Sequence, residues 1–347
     1  MTAASTAVFA PDLLATAQAL MAGDKGLLAM DESTPTCDER FAAVGIPQTV
    51  DARRAYRELL VTTPGLSQSI SGAILYDETI RQQTRDGIPF VEVLIDAGII
   101  PGIKVDTGTS DMVTHPGETV TEGLDGLGDR LAEYSAFGAR FAKWRAVLTI
   151  GDGKPSQPCI GANAEALADY AVLCQAGGLV PVVEPEVLMD GPHSLQQCSE
   201  ATEEVLHVVF SALHDRGVML EGMILKPNMV LSGSTSLTQA PVAEVARATV
   251  RCLLRTVPPD VAGVAFLSGG QPAPLASARL NALNETSGPP PPWALSFSFG
   301  RAIQLPALEI WRGEEIHVVA AQRVLRHRAN CNRAARRGEY TASMETT

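Results

Sequence analysis

Short apolar runs alternate with longer amphipathic segments along most of this chain. The runs occupy residues 26–30, 71–76, 99–105, 142–150, 178–183, 222–225, 263–267 and 293–299. Each has the length of a strand. Between them, residues 51–61, 123–141, 162–176, 195–216 and 241–256 carry apolar positions at helical spacing. Strands separated by helices pair in parallel, with each helix as the crossover. Eight such units predict a closed α/β barrel, the (β/α)8 TIM barrel, because an open doubly wound sheet usually has fewer strands.

The flanking segments fit as additions to that barrel. Residues 11–21 predict a helix ahead of the first strand, and 314–335 a long C-terminal helix rich in arginine near its end. The four prolines at 289–292 form a stiff lead-in to the last strand rather than a linker. Residues 338–347 are polar and are expected to be a mobile tail. The expectation is a single barrel domain across residues 1–347.

Composition narrows the functional classes. The chain has 347 residues, 46% of them hydrophobic, enough for a large core, and a net charge of −12. Such a surface repels phosphate backbones and anionic lipid, so neither nucleic acid nor a membrane is an expected partner. No apolar run reaches the roughly 18 residues of a membrane span. Cys37, Cys159, Cys174, Cys198, Cys252 and Cys331 are scattered without C-x-x-C spacing, which fits a reducing compartment. The N-terminus has neither the basic start of a secretory signal nor the arginines of a transit peptide. A cytoplasmic protein is the expectation. The six histidines, His115, His193, His207, His214, His317 and His327, suggest no metal-ligand set.

In a barrel of this kind, chemistry sits at the C-terminal ends of the strands. The runs end in Asp31-Glu32-Ser33, Asp77-Glu78, Lys104 with Asp106, Lys143 with Arg145, Glu184 with Glu186, Lys226, Ser268-Gly269-Gly270 and Gly300-Arg301. Residues two apart on a strand share a face, so these pairs converge if that face is the bore. Each has a bland reading by itself. A lone lysine after an apolar run usually snorkels into solvent. A Glu-x-Glu near a turn is usually solvated, and Ser-Gly-Gly is usually only a turn. Asp31 could simply cap a helix. Nothing further supports Asp77 and Glu78, and Cys37 reads as a packing residue. The agreement of several strand ends is what outweighs the bland readings.

Lys226 stands out because its stem leaves an apolar strand, residues 222–225, just before Pro227. Burial and a neighbouring cation, here Lys143, both favour a neutral amine. A neutral amine attacks a ketone to form a Schiff base. Glu184 is suited to shuttle the accompanying protons. The loops after the seventh and eighth strands commonly bind phosphate in such barrels. Ser268, Gly269, Gly300 and Arg301 occupy them. On the opposite side, Ser33, Thr36, Arg40 and Lys104 offer a second anion site. Two anion sites around one nucleophilic lysine imply a substrate with a phosphate at each end.

These residues lie in long stretches that closely resemble class I fructose-bisphosphate aldolase: KGLLAMDEST at 25–34, GIKVD at 102–106, GLDGL at 123–127, FAKWR at 141–145, VPVVEPE at 180–186, EGMILKPNMV at 221–230, TVPP at 256–259, FLSGGQ at 266–271 and WALSFSFGR at 293–301. The likeness runs from about residue 10 to about 341. It implies roles position by position. Lys226 matches the Schiff-base lysine and Glu184 the proton-transfer glutamate of imine formation. Asp31 matches the aspartate that accepts the C4-hydroxyl proton. Lys143 matches the charge-steering lysine, with Glu186 and Arg145 in support. Ser268, Gly269, Gly300 and Arg301 match the C1-phosphate site, and Ser33, Thr36, Arg40 and Lys104 the region meeting the C6 phosphate. It implies no cofactor, no metal, small-molecule sugar phosphates as ligands, and a homotetramer.

Two departures from the family pattern matter. Glu39 stands beside Arg40 where many relatives have lysine, which is expected to weaken the C6-phosphate site. Many relatives also end in a tyrosine that helps protonate the enamine, and Tyr340 does not match it. Within the tail, Glu345 is expected to be ionised and solvated. Three other readings stay open: sedoheptulose-bisphosphate or fructose 1-phosphate as the preferred substrate; a pyridoxal-phosphate barrel, which also uses a lysine and a phosphate loop; and a non-catalytic scaffold, against which the full set of strand-end residues argues. A metal-dependent aldolase is disfavoured by the dispersed histidines.

Overall fold

The computed structural model describes residues 3–285 and 290–346, with side chains from residue 9. Its strands are β1 (Gly26–Ala29), β2 (Ile70–Leu75), β3 (Ile100–Lys104), β4 (Gly108–Asp111), β5 (Thr119–Glu122), β6 (Phe141–Leu148), β7 (Val180–Val187), β8 (Ile224–Leu225), β9 (Gly263–Phe266) and β10 (Leu295–Phe299). Eight of them close into a barrel in the order β1-β10-β9-β8-β7-β6-β3-β2. All pairs in that barrel are parallel. The fold is the expected (β/α)8 barrel.

The bore is filled from below. Leu27, Ala29, Ile74, Phe141, Val180, Val182, Ile224 and Ala265 line it, and Leu13, Ala17, Leu20 and Met21 of the N-terminal helix Ala3–Met21 close the floor. Phe141 fits because its neighbours are glycines. A Cβ on Gly102 would come within 2.3 Å of the Phe141 ring, and one on Gly72 within 3.1 Å. A large residue facing vacated small ones is how a tapering bore reaches close packing. With the floor sealed, an open site can form only at the C-terminal mouth.

Several boundaries differ from the sequence expectation. β7 continues through Glu184 and Glu186 rather than ending at 183, in an unbroken eight-residue register with β6. Polar side chains at a barrel mouth do not end a strand, since its backbone is still paired. Residues 108–122 form the antiparallel β4–β5 hairpin, which the pattern did not suggest. The helix expected over 123–141 spans only Leu127–Phe137, and Phe141 already opens β6. The lead-in at 289–292 lies partly outside the described residues.

The C-terminal segment makes specific contacts in its described part. Ala342–Thr346 forms a 3-10 turn. Glu345 is not free in solvent: both its oxygens lie 2.5 Å from Nη1 of Arg328. Arg328 is buried on the helix Val318–Arg336, so its charge needs a counter-charge and the tail provides one. Tyr340 is also buried, and its hydroxyl donates to Glu345 Oε1 at 2.8 Å.

Candidate active site

Strand alternation aims the polar residues. Ala29, Phe141, Val182 and Ile224 face the bore, so the residues two further on, Asp31, Lys143, Glu184 and Lys226, project into it one layer higher. They form a chain of alternating sign. Lys143 Nζ lies 3.0 Å from Asp31 Oδ2 and 2.9 Å from Glu184 Oε2. Lys226 Nζ lies 3.0 Å from Glu184 Oε1. Lys143, Glu184 and Lys226 are all under 5% exposed, at 4%, 3% and 3%. Ions this deep persist only when each has a partner of opposite sign.

Their protonation follows from this pairing. Burial would raise the Asp31 carboxyl, but the charges of Lys143, Lys226 and Lys104 hold it well below the usual carboxylate range. Glu184 is likewise pushed up by burial and then brought below its ordinary value by Lys143, Lys226 and Arg145. Burial would lower Lys143, and Asp31 and Glu184 raise it instead, so it stays cationic. The site thus has two ionised carboxylates bracketing a permanent ammonium, with Lys226 at one end.

Around this core, Arg145 Nε pairs with Glu186 Oε2. Lys104 Nζ sits 2.8 Å from the Asp106 carbonyl and pairs with its carboxylate. Lys104 and Lys143 are register partners on β3 and β6. Across the mouth, Gly269 and Gly270 have φ of +59° and +92°, a backbone that side chains rarely adopt. The Arg301 guanidinium packs on Gly270: a Cβ there would meet its nitrogens at 3.0 Å. The loops after β9 and β10 therefore make one surface. Burial, with the charge of Arg40, pushes the Arg301 guanidinium down from its ordinary value, so an anion beside it is favoured.

Arg40, grouped from sequence with Ser33, Thr36 and Lys104, stands one turn after Thr36 on the helix Thr34–Ala43. It is paired with Glu32, which also accepts from Arg57 Nη1 at 2.7 Å and Gln304 Nε2 at 3.0 Å. Gln304 lies one turn into the helix Arg301–Trp311, so Glu32 and Gln304 meet only where the barrel closes. Ser33 Oγ and Thr36 Oγ1 are 3.1 Å apart at the start of the helix Thr34–Ala43, and Glu39 is exposed on that helix.

Every residue given a catalytic or phosphate-binding role from sequence lines one cavity of about 1080 Å³ at the mouth. Asp77 and Glu78 do not; they pair with Arg81 and Arg53. Cys37 is buried and its thiol is pushed up by burial to about 11, as suits packing. Among the lining residues given no role from sequence are Glu32, Tyr76 and Ser298. The Ser298 hydroxyl is buried with no partner among the described residues. The Ser-Phe alternation at 296–299 was its available signal.

The family model for class I fructose-bisphosphate aldolase matches residues 12–347. The chain belongs to the class I fructose-bisphosphate aldolase family. It is an enzyme, a carbon–carbon lyase of the aldolase type. A probable fructose-bisphosphate aldolase class 1 from Xanthomonas campestris is 54% identical over 94% of this chain and 98% of that protein. Cytosolic fructose-bisphosphate aldolase 6 of Arabidopsis thaliana is 51% identical over 96% and 93%. The Plasmodium falciparum aldolase, solved in complex with TRAP and a small-molecule inhibitor, is 47% identical and superposes with a TM-score of 0.95 over 99% of this chain and 97% of that one. Among the described residues of this aldolase, no helix is long and apolar enough to cross a membrane.

Proposed function

We propose that this aldolase cleaves fructose 1,6-bisphosphate through a Schiff base on Lys226. The observation that carries the reading is the Lys226–Glu184 contact of 3.0 Å, buried at the open mouth of the barrel. The Lys226 amine attacks the C2 ketone, and Glu184 takes and returns the protons as the carbinolamine loses water. Asp31, kept ionised, accepts the C4-hydroxyl proton as the C3–C4 bond breaks. The bond electrons flow into the iminium and give an enamine, and glyceraldehyde 3-phosphate leaves. Glu184, or water beside it, protonates the enamine at C3, and hydrolysis frees dihydroxyacetone phosphate. Lys143 offsets the negative charge of both carboxylates throughout. Arg145 and Glu186 brace that network.

Ser268, Gly269, Gly300 and Arg301 receive the C1 phosphate in this reading. Lys104, with Ser33, Thr36 and Arg40, receives the C6 phosphate. β3 lies four places from β9 in the eight-stranded ring, which supports a substrate spanning the mouth from Lys104 to Ser268. The reaction runs in glycolysis and gluconeogenesis, in the cytoplasm, and the working assembly is a homotetramer without cofactor. Sedoheptulose bisphosphate and fructose 1-phosphate are the competing substrates. Steady-state cleavage of all three, with and without prior chelation, tests the reading. The expected order is fructose 1,6-bisphosphate first, with rates unaffected by chelator. A rate lost on chelation and restored by zinc contradicts an imine as the electron sink.

A further inference from the structure

One buried side chain grips both phosphate loops from behind. Arg328 Nη2 donates to the Ala273 carbonyl at 2.9 Å and to Ser277 Oγ at 2.7 Å. Its Nε donates to the Ala302 carbonyl at 3.4 Å. Ala273 opens the helix Ala273–Asn284, which follows the Ser268-Gly269-Gly270 loop, and Ala302 is the second residue of the helix Arg301–Trp311. The same guanidinium thus spans the two helix starts whose preceding loops meet where Arg301 packs on Gly270.

The fourth partner of Arg328 is Glu345, from the tail, with Tyr340 donating to Glu345 Oε1 at 2.8 Å and lying 3.3 Å from the Pro274 carbonyl. Carbonyls and a hydroxyl alone leave a buried guanidinium uncompensated. Glu345 supplies the only carboxylate that Arg328 pairs with among the described residues. Without it, the guanidinium gains by turning toward water and releasing the two helix starts.

We propose that Glu345 and Arg328 are positioning residues for the C1 phosphate: the docked tail holds Arg328 in place, and Arg328 fixes the spacing of the Ser268–Gly270 and Gly300–Arg301 loops. Neither residue lines the cavity, so neither touches substrate. This rests on the reading that those loops receive a substrate phosphate. A looser pair of loops binds the phosphate less well, whatever the remainder of the sugar carries.

The test uses the full chain and the variants Glu345→Gln, Glu345→Ala and Glu345→Asp, with Arg301→Ala as the control on the phosphate site. KM and kcat are measured for fructose 1,6-bisphosphate and fructose 1-phosphate, with the inhibition constant for inorganic phosphate and the melting temperature. Glu345→Gln and Glu345→Ala should raise both KM values and the phosphate inhibition constant by one common factor of about five, the size of a coupling between contacting groups. kcat should change less, and Glu345→Asp should recover part of the loss. A fall in melting temperature with KM unchanged would show a purely structural clasp and overturn the proposal. A fall in kcat alone would overturn it too, by placing the tail in the chemical step. If Arg301→Ala leaves KM unchanged, the phosphate-site reading itself fails and this inference falls with it.

Discussion

Lys143 and Lys226 stand on opposite oxygens of one buried carboxylate, Glu184, at 2.9 Å and 3.0 Å. The Lys143 contact is an ion pair off the axis of a hydrogen bond, since Glu184 Oε2 has no aligned donor. Asp31 anchors Lys143 from the other side. The arrangement gives the two lysines different surroundings: Lys143 is held between two carboxylates, while Lys226 has one. Lys143 is thereby kept a permanent cation beside Lys226 in the same layer of the bore.

Removing Lys143 should shift the acid side of the pH–rate profile. Burial raises Asp31 and Glu184, and Lys143 is the largest influence opposing it in both. In Lys143→Met both carboxyls therefore rise. Groups needed ionised then become protonated at higher pH, so the acid limb of kcat/KM moves up. The rate at neutral pH should fall about a hundredfold or more, the lower end of the general acid–base contribution. An acid limb that stays where it is in the wild type would show that Lys143 does not set those carboxylates.

Lys104 should matter for one substrate and not another. It lies on β3, opposite β9 in the ring, and on this account meets the C6 phosphate. Lys104→Met should raise KM for fructose 1,6-bisphosphate about tenfold, near the lower end for a charge-assisted bond, because the Asp106 pair competes for the ammonium. KM for fructose 1-phosphate should stay nearly constant. Equal effects on both substrates would put Lys104 at the C1 end.

The barrel floor gives a prediction about stability. Gly102→Ala places a methyl 2.3 Å from the Phe141 ring, against a bore already closed by the N-terminal helix. Overpacking of that kind costs about 1–3 kcal/mol. Denaturant unfolding should show the loss, and Phe141→Leu in the same chain should restore part of it. No loss in the single variant would mean that the floor is looser than described.

Much of this was legible in the chain because two simple periods carried it. Alternation of strand and helix runs specified the barrel, and alternation within strands put Lys104 with Asp106, Lys143 with Arg145, and Glu184 with Glu186 on shared faces before any distance was known. What stayed hidden depended on contacts distant in sequence. The network that holds Arg40 through Glu32 includes the Glu32–Gln304 contact, which spans most of the chain. Glu345 looked solvated because its partner, Arg328, reads as one more arginine on an exposed helix until burial is known. The β4–β5 hairpin was missed because its first strand, with Thr109, Ser110 and Asp111 exposed, lacks an apolar period.

The central claim is that Lys226 forms the covalent bond. Borohydride reduction in the presence of dihydroxyacetone phosphate, followed by peptide mass analysis, tests it most directly. The account predicts one added ketose mass per chain, on the peptide containing Lys226, and no label or cleavage in Lys226→Arg, whose guanidinium stays protonated. Label on Lys143 or Lys104 with Lys226 unmodified would contradict it.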